Sequence, residues 1–436
     1  MQNTNIRSSH SLTGTDLRTL GLASIGGALE FYDFIIFVFF TAVIGKLFFA
    51  AGQPDWVRQA QTFGIFAVGY LARPLGGVVM AHFGDKYGRK RIFMLSVLMM
   101  AIPTLLIGCL PTYRSIGTAA PLLLLLLRVL QGAAIGGEAP GAWVFVAEHA
   151  RRDRVGFAVG LLTSGLSLGI LLGSLVATGM SIAFTPPQML AGAWRIPFLA
   201  GGAFGFIAMW LRRWLEETPV FEEMKRRAGL SRQLPLRTVI QSHGKAIAVS
   251  LAGTWMVTAT IVVVVLMTPT LLQKLFALAP LQTQIANLAA TVALCIASVA
   301  AGAATDRFGI RRVTVLSLLL LIASTCALYM TAGKMPSLLL PLSILTGIGA
   351  GGAVATPIML VRVFPDAVRF SGVSFSYNLG YAVFGGVTPL IVLSVAHISR
   401  VGPAYYVAAA ALAGICAVLV APMNYLTRSA KAETTR

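Results

Sequence analysis

The chain has 436 residues, of which 57% are hydrophobic and only 11% charged, with a formal net charge of +19. Soluble domains carry about 25% charged residues, so the composition excludes an ordinary soluble enzyme and also excludes disorder. Its apolar runs are continuous, which excludes an outer-membrane barrel with strands alternating over about 10 residues and leaves an all-α polytopic membrane protein.

Residues 1–16 are polar, with no apolar core, so no cleavable signal peptide is expected. After them, apolar runs bounded by charges predict twelve spans, since each crossing needs about 20 apolar residues. The expected spans are 19–48, 57–83, 92–111, 118–147, 156–184, 192–214, 244–276, 281–304, 313–332, 336–363, 370–397 and 402–426. Basic residues fall on alternate connections. One side collects Lys86, Arg89, Lys90 and Arg91, then Arg151, Arg152 and Arg154, the middle connection, Arg307, Arg311, Arg312, Arg362, Arg369 and the tail. The other carries only Lys46, Arg58, Arg114, Arg195, Lys274, Lys334 and Arg400. Both termini are therefore expected in the cytoplasm. The same pattern accounts for the net charge without a nucleic-acid partner.

Two halves are expected: 1–214, a polar connection 215–243, and 244–436. Within the connection, Glu222 precedes Arg226 and Glu223 precedes Arg227 by four residues, which favours a short surface helix. The halves repeat. Asp85-Lys86-Tyr87-Gly88-Arg89-Lys90-Arg91 realigns with Asp306-Arg307-Phe308-Gly309-Ile310-Arg311-Arg312 at an offset of 221, each after a second span and before a third. Two related six-span halves with a substrate site between them is transporter architecture. Cys109, Cys295, Cys326 and Cys416 each stand alone in an apolar run, without metal-ligand spacing, and read as buried thiols. No metal or other resident cofactor is expected.

Charges at membrane depth are costly and mark functional sites by default. Five are deep, all in the first half: Glu30 and Asp33 in span one, Arg73 in span two, Arg128 and Glu138 in span four. Counting about 1.5 Å per residue from the span centres pairs Asp33 with Arg128 and gathers Glu30 and Glu138 around Arg73. Three acids against two guanidiniums leave one carboxylate over, and a desolvated carboxylate without a counter-charge takes up a proton readily. Asp33, Glu30 and Glu138 are thus the proton-coupling candidates. Arg128 and Arg73 suit a carboxylate, because a guanidinium donates two parallel hydrogen bonds. In the second half Tyr377, Asn378 and Tyr381 are polar in mid-span and are the candidates there for a small polar solute. Ser374, Ser376, Thr254, Trp255 and Thr258 could serve the same end or simply join helices.

Gly84-Asp85-Lys86-Tyr87-Gly88-Arg89-Lys90-Arg91 and Arg128-Val-Leu-Gln131-Gly132 resemble signatures of the major facilitator superfamily. Five further stretches resemble its metabolite–proton symporter family. They are Ala28-Leu-Glu30-Phe-Tyr32-Asp33-Phe, Gly136-Gly137-Glu138 ending in Ala147-Glu148-His149, Trp194-Arg195-Ile-Pro197-Phe198, Leu215-Glu216-Glu217-Thr218-Pro219-Val-Phe221, and Val368-Arg369-Phe-Ser371-Gly372 running to Tyr381. The resemblance spans nearly the whole chain. It implies twelve transmembrane helices in the major facilitator fold, alternating access, and proton-coupled import of a small organic acid into a bacterium across its inner membrane. Relatives also carry proline and betaine, and a zwitterion or an exporter of the same fold stays open. It brings Tyr32 and Gln131 into the candidate substrate group, and implies that Asp85 and Arg89, with the matching Asp306 and Arg311, gate the cytoplasmic side. No nucleophile–base pair, metal motif or phosphate loop points to an enzyme. The expected partners are a carboxylate substrate and membrane lipids, and the expected state is a monomer.

Overall fold

In a computed structural model, residues 14–87, 89–151, 153–213 and 235–423 are described, and every regular element among them is helical. The helices are α1 Gly14–Phe39, α2 Asp55–Tyr87, α3 Arg89–Cys109, α4 Ala119–His149, α5 Val155–Ala183, α6 Arg195–Arg212, α7 Gly244–Phe276, α8 Pro280–Phe308, α9 Ile310–Thr331, α10 Pro336–Val363, α11 Asp366–Ile398 and α12 Gly402–Val420. Nine of the described helices are long and apolar enough to span a membrane, and Pro186–Ala193 with Arg195–Leu211 forms one more span bent by 47°. The apolar parts of α2 and α3 are shorter, Gly64–Met80 and Met94–Cys109. Their reasons are local: α2 carries Arg73 in mid-helix, and α3 opens on Arg89-Lys90-Arg91.

Of the middle connection, the helix Pro235–Ser242 is described. The expected surface helix around Glu222 and Arg227 lies outside the described residues. Gly309, which joins α8 to α9 in the second copy of the repeated loop, has φ +86°, a conformation that a side chain disfavours.

Packing is carried by small residues rather than by a water-excluding core, as expected where lipid is the solvent. A Cβ on Gly76 would fall 2.0 Å from the Ala133 carbonyl oxygen, and one on Gly136 would fall 2.2 Å from that of Arg73. The backbones of α2 and α4 therefore touch. The halves meet through α5 against α8 and through α11 against α2 and α4, whereas the main contacts of α3 and α6 stay within their own half. Only Cys295 is buried; Cys109 and Cys416 are exposed and Cys326 intermediate. This corrects the expectation of four buried thiols: an apolar helix in a membrane also has lipid-facing positions, so an apolar run does not imply burial in protein.

Candidate functional site

Where α11 crosses α2 and α4, backbone and side chains lock the halves together. The Asn378 amide nitrogen donates to the carbonyls of Gly136 and Ser374, and the Ser374 hydroxyl lies 3.1 Å from Gly77 O and 3.3 Å from Gly136 O. One turn away Arg73 enters a cage of tyrosines. Its Cζ lies 4.3 Å from the Tyr381 ring centroid and 5.5 Å from those of Tyr70 and Tyr377. Tyr377 in turn meets Trp143 edge-on at 4.7 Å.

Arg128 occupies a second cage, built by the N-terminal half alone. Its Cζ lies 4.3 Å from the Phe37 ring, 4.7 Å from Phe34 and 5.4 Å from Phe66. Tyr70 links the cages, stacked on Tyr381 at 5.8 Å and edge-on to Phe66 at 4.9 Å. Aromatic faces attract the guanidinium without consuming its N–H donors. Nη1 of Arg128 donates to Gln131 Oε1 at 2.8 Å, while Nε and Nη2 have no hydrogen-bond partner among the described residues. The same two atoms of Arg73 are also unsatisfied. In a guanidinium these two N–H groups point the same way and form the edge that grips a carboxylate.

Asp33 is 1% exposed, and neither carboxylate oxygen has a hydrogen-bond partner among the described residues. It does not meet Arg128, which corrects the expected pair. Asp33 points off the central interface toward α6, where a Cβ on Gly201 would fall 2.6 Å from its Oδ1 and one on Gly205 3.2 Å from its Oδ2. Rotation about the helix axis sends the two side chains to different neighbours. Tyr32 is likewise committed to α6: its hydroxyl donates to Pro197 O at 3.0 Å and its ring packs edge-on against Phe204. The structure thus leaves Tyr32 apart from the arginines, and spends the Asn378 amide nitrogen on helix docking. Glu30 and Glu138 are buried on α1 and α4. Gln131 bridges Arg128 to Thr104, a residue that sequence reasoning missed. The Gly201–Gly205 pair, small residues four apart on span six, was the available signal for a close neighbour there.

At the end bearing the repeated loops, Asp306 accepts hydrogen bonds from the backbone N–H groups of Gly156 and Phe157, both at 2.7 Å. A carboxylate of one half thus caps the first turn of α5 in the other, where the helix dipole favours an anion. Arg362 lies 3.8 Å from it and Arg154 is a second cationic neighbour, whereas Arg311 is exposed in the first turn of α9. Arg369 adds a second link across the halves, 3.4 Å from Glu148, and also pairs with Asp366. The side chains of Asp85 and Arg89 lie outside the described residues.

Residues 20–239 match the family model described as Sugar (and other) transporter, and residues 246–436 match Major Facilitator Superfamily. The chain is 34% identical to the ectoine/proline transporter ProP of Corynebacterium glutamicum, over 84% of this chain and 76% of that one. It is 32% identical to the citrate-proton symporter of Klebsiella pneumoniae, over 90% of this chain and 88% of that one. Among solved structures, the proton:xylose symporter XylE from E. coli superposes with a TM-score of 0.77 at 14% identity, covering 95% of this chain and 98% of that one. The interlocked halves, the buried charges and these relatives agree: the chain is an integral membrane protein of the metabolite–proton symporter family of the major facilitator superfamily, a secondary transporter of small molecules and not an enzyme.

Proposed function

We propose that the protein imports a small organic acid together with a proton, with Arg128 and Arg73 as the anchors for the anion and Asp33 as the principal proton carrier. One observation carries this reading. Two fully buried guanidiniums each keep the Nε–Nη2 edge unsatisfied, and a buried donor left unfilled is costly unless a ligand fills it. The zwitterion alternative needs a place for a quaternary ammonium, for which an aromatic cage is the usual host. Here Arg73 already fills the cage of Tyr70, Tyr377 and Tyr381, so the chemistry favours an anion. The citrate carried by one relative fits that chemistry, while the proline carried by another keeps the zwitterion in the test. The proton is the coupling ion, and no resident cofactor is involved. By the distribution of basic loops, both termini face the cytoplasm of a bacterial inner membrane, and the protein works as a monomer. Asp85 and Arg89 complete the cytoplasmic gate whose second copy contains Asp306.

The test is uptake into proteoliposomes of labelled citrate, succinate, proline and glycine betaine, with and without an inside-alkaline pH gradient. Gradient-dependent accumulation of a carboxylate is the expected result. Accumulation of betaine or proline with both acids inert would overturn it in favour of the zwitterion.

A further inference from the structure

Asp33 sits off the interface that binds the anion, so proton and anion have no direct contact through which to sense one another. The structure supplies one intermediary. Gln131 accepts from Arg128 Nη1 at 2.8 Å and, through its own amide nitrogen, donates to Thr104 Oγ1 at 2.7 Å. Thr104 in turn donates to the Met100 carbonyl at 2.9 Å. All three side chains, Arg128, Gln131 and Thr104, are at most 1% exposed. Thr104 borders the acid: Thr104 Cγ2 and Asp33 Oδ1 lie 3.0 Å and 2.6 Å from the same point, the position of a Cβ on Gly201, and the Thr104 hydroxyl makes no hydrogen bond to either Asp33 oxygen.

We infer that Gln131 and Thr104 are positioning residues that couple anion binding at Arg128 to proton binding at Asp33. This rests on the reading of those two residues proposed above. In the observed arrangement Thr104 Oγ1 accepts from Gln131 and donates to Met100 O, and Asp33 receives no hydrogen bond from it. When an anion draws Arg128 away, Gln131 follows and releases Thr104. Threonine in a helix has two favoured χ1 positions, because its hydroxyl can bond carbonyls three or four residues back. Turning by about 120° carries the oxygen toward Asp33 while its own proton stays on a backbone carbonyl. An oxygen offered in this way can only accept. A protonated Asp33 can donate to it and an ionised one cannot, so anion and proton favour each other's binding, as linkage requires.

Apart from Arg128 on α4, held in its cage beside Phe34 and Phe37, the elements packed on α1 bring no buried cation toward Asp33. α5 has no charged residue between Val155 and Ala183, α6 has Arg195 and Arg212 only at its ends, and the basic residues of α3 lie in its first turn. Arg195 is engaged with Gly108 O at 2.7 Å. Of the other charged groups nearby, Glu30 lies one turn away on α1 and Glu138 is on α4.

The experiment is a double-mutant cycle read by the infrared C=O band of protonated Asp33 in the full-length protein in lipid, assigned by its loss in Asp33→Asn. Arg128→Met imitates an arginine withdrawn from Gln131 and needs no substrate. With Thr104 present, Arg128→Met is expected to strengthen the band at fixed pH. With Thr104→Val the change should fall to under roughly a quarter, and Thr104→Ser should restore it, since coupling between residues in one network appears as non-additivity. Equal changes in the Thr104 and Thr104→Val backgrounds would show plain electrostatics and overturn the link, as would no change in either. Absence of any Asp33 band at any pH would overturn the proton-carrier reading itself, and the link with it.

Discussion

Asp33 is held unsatisfied by packing, and that shapes what its replacement does. A buried carboxylate without partners costs stability that an isosteric amide recovers in part. Asp33→Asn is therefore expected to raise the unfolding temperature in detergent slightly while abolishing accumulation driven by a pH gradient. Exchange of labelled substrate without a gradient should persist, because the amide imitates the protonated acid. Full gradient-driven accumulation would transfer the role to Glu30 or Glu138. Arg128→Lys keeps the charge and the aromatic cage but loses the side-on edge. The loss of a charge-assisted pair of hydrogen bonds, about 1.5–3 kcal/mol, predicts a KM raised by roughly 10- to 100-fold with the fold intact. An unchanged KM in a concentration series would remove Arg128 as the anchor. All five deep charges were legible in the sequence, since each interrupts an apolar span. Their partners were not, because sequence gives depth along a helix while rotation about its axis is decided by packing. Asp33 and Arg128 face different neighbours.

Glycine positions control how the helices approach, and they sort into two kinds. Gly136 seats α4 on α2 within one half, whereas Gly77 seats α11 of the other half. A Cβ on Gly77 would fall 2.4 Å from the Asn378 amide nitrogen and 2.7 Å from Ser374 Oγ. The first contact holds throughout transport; the second must open and close. Gly136→Ala is expected to destabilise the folded protein by about 1–3 kcal/mol through overpacking, seen as a lower unfolding temperature. Gly77→Ala should instead hold the halves apart, seen as faster labelling of Ser374→Cys by a thiol reagent from the cytoplasmic side. Labelling no faster than with Gly77 intact would mean that this contact does not set the conformational balance. The twelve spans and the half-chain repeat were readable from apolar runs and loop charges. The use made of Tyr377, Asn378 and Tyr381 was not: a polar residue in mid-span announces that it needs a partner without saying whether that partner is a solute or another helix.

For the molecule as a whole, side chains at the end bearing the repeated loops tie the two halves together, and Asp306 is central to those contacts. Its two oxygens cap α5 across the halves, with Arg362 beside them, and Arg369 ties α11 to Glu148 at the same end. A carrier that alternates access must break these contacts to release its cargo, so their strength sets how long the closed state lasts. Sequence reasoning found Asp306 through the repeat and named Arg311 with it as a gating residue, but could not name Arg362, because only the folded chain brings α10 alongside. Asp306→Ala removes two charge-assisted bonds to backbone N–H groups. At about 1 kcal/mol per lost cap, with a similar share from the nearby guanidinium, the closed population should fall by roughly 10- to 30-fold relative to the open one. Spin labels at Asp153→Cys and Arg311→Cys, on exposed positions of opposite halves, measure this directly as a shift toward longer distances in lipid nanodiscs. Asp306→Glu keeps the charge but lengthens the side chain, and should lie between the two. If the distance distribution of Asp306→Ala matched that of the parent, closure would rest on the α11 contacts instead, and Gly77→Ala would be the variant that opens the gate.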